Sequence, residues 1–273
     1  MHKHTTPHVR TAAAWFCALL LFFPIFWLAL MAFKTEAQAI STPPLLFFSP
    51  TLQSFRDVMA RDHYAGYAIN SLLTSVLSTA VGLAIALPAA YSMAFFPTRG
   101  TVGLLKFILS SRYMPGVGAL MPIYICYQYF GLLDSRAGLT FMFMLMNLPI
   151  MIWLLYTNLR ELPREILEAA RMDGANGWQT TFKVKLPMVM NVIVVTLLMR
   201  LIDAFRVLEV IYILTFGGPG DSTEILSLHI YKTAFVGQQL GSAAAISVLL
   251  LAVVAGLSCL ALRLSNPLAE EHP

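Results

Sequence analysis

Six apolar runs limit what this chain can become. They lie at about 12–33, 68–96, 104–130, 137–159, 188–216 and 240–263, and a helix needs roughly 20 such residues to cross a bilayer. Composition agrees: 58% of the 273 residues are hydrophobic and 12% are charged, against about 25% charged in a soluble domain. The expected fold class is an all-α polytopic membrane protein with six transmembrane helices, forming one transmembrane domain over residues 1–273. The third run is the least regular, because Pro115 and Pro122 interrupt it and Arg112 sits near its start. Ahead of it in the chain, Ala37-Gln38-Ala39 resembles a signal-peptide cleavage site. The first run, however, exceeds the roughly 7 to 15 residues of a signal's apolar core and contains Pro24, so a retained span is expected. Cys17, Cys126 and Cys259 all fall in apolar runs, with no CxxC and no nearby histidine cluster. They are expected to be membrane-embedded residues without a metal or redox role.

Basic residues set the orientation. With the N-terminus inside, Lys3, Arg10, Arg99, Lys106, Arg160, Arg164, Arg171, Lys183, Lys185 and Arg263 are cytoplasmic. Lys34, Arg56, Arg61, Arg136 and Lys232 are outside, and Arg112, Arg200 and Arg206 lie within spans. Both termini are then cytoplasmic. No sizeable soluble domain is expected at either end. The largest outer loop, about 34–67, carries Pro43-Pro44 and Pro50 and then a short helix in "TLQSFRDVMA".

The polar stretch "EILEAARMDGANGWQTTFKVKLP" (165–187) falls between the fourth and fifth runs. Pro163 suits a first helical turn, where its missing N–H costs nothing. Good helix formers follow, placing Ile166, Ala169, Ala170 and Met172 toward one side. Gly174 stands where a left-handed terminating residue is needed. Asn176 and Gln179 have the spacing of a capping box for a second helix, and Pro187 opens the next span. The result is a helix–turn–helix elbow on the cytoplasmic side. Local physics allows two roles for it, resting on lipid headgroups or docking to a protein.

Glu168-Ala169-Ala170, then Gly174, then Val184-Lys185-Leu186-Pro187 resembles the EAA motif of binding-protein-dependent ABC importer permeases. In that family the final element is Ile-x-Leu-Pro, so Val184 is the one mild departure. The resemblance implies that Glu168, Ala169, Ala170, Asp173, Gly174, Leu186 and Pro187 form a coupling surface for ATPase subunits. Residues 24–57 and 67–94, the latter with the Asn70-Ser71 pair, look like carbohydrate-uptake permeases related to the maltose system. Residues 111–139 resemble the smaller permease of importers for mannitol or sorbitol, whereas 203–223 looks like the larger subunit of a permease pair. The implied partners are a second permease subunit, a dimer of ABC ATPase subunits, and a periplasmic or lipid-anchored solute-binding protein. The implied cargo is a sugar or sugar alcohol, and the implied location is the bacterial cytoplasmic membrane. ATP and magnesium would be held by the ATPase partners, so this chain is expected to carry no cofactor, no metal and no catalytic residue. No nucleic-acid partner is expected.

Arg200, Asp203, Arg206 and Glu209 recur at every third position of the fifth run. Four unpaired charges there would cost roughly 10 kcal/mol at about 2.5–3.5 kcal/mol each. They must face protein or water, and spacing of three allows neighbours to pair. Two readings stand: a polar translocation path that bonds sugar hydroxyls, and an ion-pair ladder to adjacent spans.

The turn "GGPGDST" (217–223) lacks the ending of a phosphate-binding loop. Asp221 and Glu224 have N-cap and N3 spacing for a short outer helix reaching about residue 236. Such a turn either touches substrate or a binding protein, or packs as a lid on the bundle. His63 and His229 are expected at the surface, and Gly237 and Gly241 form a GxxxG pattern. A rival function from another class is an ion- or proton-coupled secondary transporter using the charges of the fifth run.

Overall fold

The computed structural model describes residues 7–61, 63–112 and 116–265, and every regular element among them is helical. In chain order these are α1 (Pro7–Ala32), α2 (Glu36–Ala39), α3 (Gln53–Arg61), α4 (Tyr64–Phe95), α5 (Thr101–Ser111) and α6 (Gly116–Tyr129). Next come α7 (Arg136–Arg160) and α8 (Arg164–Met172). Helix α9 (Gly177–Met188) then meets α10 (Met190–Arg206) at a bend of 58°. The last are α11 (Glu209–Leu214), α12 (Leu226–Tyr231) and α13 (Leu240–Ser265).

Helices α1, α4, α7 and α13 are long and apolar enough to cross a membrane, and the bent pair α9–α10 makes a fifth candidate. The expected third run is two helices, α5 and α6, of 11 and 14 residues. Pro115 lies outside the described residues, and Pro122 sits inside α6. The fifth run is also discontinuous. Helix α10 stops at Arg206, Val207 is extended, and α11 restarts at Glu209. Backbone groups freed within an apolar layer need partners. Ser227 Oγ supplies one by donating to the Val207 carbonyl at 2.9 Å.

The chain divides into two compact units, Met1–Ala65 with His229–Ala252, and Gly66–Leu228 with Val253–Pro273. In the first unit Lys34 is buried, with its Nζ donating to the Leu45 carbonyl at 2.6 Å and lying 4.9 Å from the ring centres of Trp27 and Phe48. The Glu36 carboxylate accepts from the Gly241 N–H at 2.9 Å and from the Ser242 N–H and Oγ at 2.7 Å each, capping the start of α13. A Cβ on Gly241 would stand 3.1 Å from Ser54 Oγ and 3.2 Å from Glu36 Oε1, so glycine permits that approach. His229 is buried, contrary to the surface position expected for it, whereas His63 is exposed.

In the second unit α7 is the common member of three apolar clusters. Met151, Ile152 and Leu155 pack with Ala86, Ala90 and Val189. Leu139 and Phe143 meet Ala204, Ile211 and Leu228. Met142 meets Leu120, Tyr127 and Val210. Half of the apolar window of α7 is covered by the rest of the chain, and none of that of α1 is. The cysteines are free and exposed on the chain, so any apolar surroundings they have come from outside it.

Candidate functional site

Two places gather the residues singled out above, and both lie in the unit Gly66–Leu228. The first is the elbow. Helix α8 runs from Arg164, directly after Pro163, to Met172, and Gly174 just beyond it has a φ of +81°, the left-handed conformation expected there. The Ala175 N–H reaches back to the Ala170 carbonyl at 3.0 Å and the Asp173 N–H to that of Ala169 at 2.9 Å, closing the helix end. Asn176 and Gln179 form the expected capping box. The Asn176 N–H donates to Gln179 Oε1 at 2.9 Å, and the Gln179 N–H donates to Asn176 Oδ1 at 2.8 Å. Residues Thr180–Lys185 then form a wider turn that passes into Leu186-Pro187.

Leu167 is the buried apolar residue of α8, while Ile166 is exposed and Met172 is 87% exposed. Glu168, Ala169 and Asp173 are exposed and Ala170 half-buried. Trp178, 74% exposed, stacks on Phe182 with ring centres 4.4 Å apart. The elbow therefore presents large apolar side chains beside a carboxylate, a surface that water alone does not favour. Leu186 packs against the α4–α7 cluster, and Pro187 is exposed.

Lys185 is the residue whose placement composition did not suggest. It is 6% exposed, donates to Tyr91 Oη at 2.8 Å, and lies 3.9 Å from the centre of the Phe95 ring. A lysine beside a membrane reads as a solvated charge, and the aromatic pair that receives it stands some ninety residues earlier in the chain.

The second place is the charged row with the cavity near its end. Arg200 is 3% exposed, donates to Asn147 Oδ1 at 2.9 Å and pairs with Asp203 at 3.0 Å. It thus fastens α10 to α7. Arg206 and Glu209 are exposed, and among the described residues neither has an ion-pair partner; the break at 207–208 separates them. Glu209 alone of the four lines a cavity of about 440 Å³, with Arg112, Ser111, Leu120, Met142 and Met146 among its walls. Arg112 also approaches the Met146 carbonyl at 3.4 Å. The end of α5, at Ser111 and Arg112, and the start of α11, at Glu209 and Val210, both line this cavity.

The 217–225 turn is latched to α4. Tyr67 Oη donates to Asp221 Oδ2 at 3.2 Å, and Asn70 Nδ2 donates to the carbonyls of Asp221 and Glu224 at 3.3 and 3.1 Å. Ser71 Oγ accepts from the Leu226 N–H at 2.9 Å, and Arg136 Nε donates to the Ser222 carbonyl at 2.8 Å. Asp221 is therefore not an N-cap. The helix starts later, at Leu226, and continues as a wide turn to Val236, while the Asp221 carboxylate accepts from the Tyr67 hydroxyl.

The chain is similar to known proteins in sequence and in fold. Residues 7–264 match the family described as the binding-protein-dependent transport system inner membrane component. A probable ABC transporter permease protein of Sinorhizobium fredii is 32% identical over 174 residues, which cover 64% of this chain and 62% of that protein. A diacetylchitobiose uptake system permease protein of Streptomyces coelicolor is 27% identical over 226 residues, 82% of this chain and 79% of the relative. The chain thus spans about three fifths of the first of these relatives. In fold it is similar to a chain of a bacterial alginate ABC transporter, solved with its pentasaccharide-bound periplasmic protein. That likeness has a TM-score of 0.72 at 18% identity over 95% of this chain and 93% of that one. The chain belongs to the family of inner-membrane components of binding-protein-dependent transport systems.

Proposed function

We propose that the chain is the transmembrane permease subunit of an ATP-driven importer that carries a sugar or sugar alcohol into the bacterial cytoplasm by alternating access. It crosses the inner membrane six times with both termini inside, counting α5–α6 and α10–α11 as one span each. It works with a second permease subunit, a dimer of ABC ATPase subunits and a solute-binding protein, and ATP with magnesium is bound by the ATPases.

The elbow is the observation that carries this reading. Glu168, Ala169, Ala170, Asp173 and Gly174 sit on a short, terminated helix whose large apolar neighbours Met172 and Trp178 are exposed. Such a surface suits insertion into a groove on another protein, and the Glu-Ala-Ala, Gly, Leu-Pro spacing favours that over a place among headgroups. Leu186 and Pro187 join it to the span that moves with it. The carbohydrate assignment draws on relatives such as the diacetylchitobiose permease, and the sugar-alcohol refinement on the resemblance of residues 111–139.

For the path, the cavity beside Glu209 supports an entry for polyhydroxylated cargo, with the Glu209 carboxylate accepting and Arg112 donating to hydroxyls. Arg200 and Asp203 serve mainly to hold α10 to α7. Purification of the tagged chain in mild detergent should bring down ATPase subunits whose hydrolysis rises when the loaded binding protein is added. A chain that transports by itself, with no ATPase attached, would show a secondary transporter instead.

A further inference from the structure

Lys185 has a geometry that the docking surface does not use. Its ammonium is enclosed by α4, with Tyr91 Oη at 2.8 Å and the ring centres of Phe95 and Tyr91 at 3.9 and 4.7 Å. Tyr91 Oη also lies 3.1 Å from Thr181 Oγ1. Two elbow residues four apart therefore hold two α4 residues four apart, at the last turn before α4 ends at Phe95. Below them Val189 packs on Ala86 and Ala90, so the tie rests on a dry core. An ammonium pulled away from rings and hydroxyl in such surroundings loses both cation–π attraction and its hydrogen bond. The elbow cannot slide past α4 without breaking them.

We propose that Lys185 is a positioning residue that passes displacement of the elbow to the end of α4, so that α4 moves with the elbow when nucleotide binds. The proposal rests on the importer reading. Its chemistry is specific: a cation at 185, a hydroxyl at 91 and ring faces at 91 and 95. Lys185→Met keeps the stem and leaves Tyr91 bonded to Thr181, so the fold should survive. Arginine offers a cation of similar reach.

The test uses the whole transporter in nanodiscs, with Cys17, Cys126 and Cys259 replaced by serine and Ser92→Cys as reporter on the exposed side of α4. Maleimide labelling of position 92 is compared with and without ATP and vanadate. In the otherwise wild-type complex labelling should change on trapping. In Lys185→Met the trapping-dependent change should shrink about tenfold while ATP hydrolysis is kept, as expected for losing a charged hydrogen bond. Lys185→Arg should restore most of it, and Tyr91→Phe should give a smaller loss. An undiminished response in Lys185→Met, or a wild-type complex that hydrolyses ATP with position 92 unmoved, overturns the proposal. So does failure of both Lys185→Met and Tyr91→Phe to assemble, which would make the contact one of folding. A wild-type chain that recruits no ATPase at all would instead strike the importer reading itself.

Discussion

The elbow at 164–189 and the turn at 217–225 are both polar segments set between apolar helices, yet they are satisfied in opposite ways. The elbow closes its own helix ends locally, through Gly174 and the Asn176–Gln179 box, and leaves Met172 and Trp178 uncovered. The turn is held by side chains distant in sequence, from Tyr67, Asn70, Ser71 and Arg136, and Thr223, Glu224 and Ile225 within it are buried. A segment that closes its helix ends locally and shows apolar surface is built to meet something else. A segment whose polar groups are consumed inside the chain is built to stay closed on it.

Substitutions in the two segments should therefore fail differently. The largest effect is expected for Gly174→Asp, which should abolish uptake while membrane insertion stays intact, read by transport in cells and by the yield of inserted protein. A Cβ there meets nothing within 4 Å, and the left-handed conformation costs an aspartate only about 1 kcal/mol. The damage is a new carboxylate beside Asp173 on the exposed face. Normal uptake in this variant would remove the docking role.

Asn70→Ala comes next. It deletes two bonds to the Asp221 and Glu224 carbonyls and should lower unfolding stability in detergent by about 2 kcal/mol. Protease cutting near 217–223 should rise with it. Ser71→Ala removes the acceptor of the Leu226 N–H and should cost about 1 kcal/mol in the same assay. Met172→Ser should change stability least, by under about 0.5 kcal/mol. It should nonetheless weaken ATPase recruitment, measured as the fraction retained through purification. A Met172 variant that unfolds, or an Asn70 variant that loses only ATPase binding, would break the contrast between the two segments.

What was legible in sequence follows the same division. The Gly174 terminus, the capping box and helix α3 obey rules that operate within one or two turns, so residue type and spacing were enough. The same spacing rule misassigned Asp221 as an N-cap: the helix starts only at Leu226, and the carboxylate accepts from a tyrosine hydroxyl 154 residues away. The enclosure of Lys185 and the Arg200–Asn147 bond likewise depend on partners from other helices, to which periodicity is blind. The break at Val207 was hidden because the run stays apolar through it. The carbonyl it frees is answered by Ser227, twenty residues on. Arg112 drew notice only as an oddity in a span, and its place beside Glu209 depends on how α5, α6, α7 and α11 converge.

The central claim, that the exposed face of the elbow docks to the ATPase, is tested most directly by a photocrosslinking residue at position 172 in the membrane-embedded transporter. The account predicts an adduct with an ATPase subunit whose yield changes between nucleotide-free and ATP-bound states. Adducts with lipid alone, in either state, would contradict it.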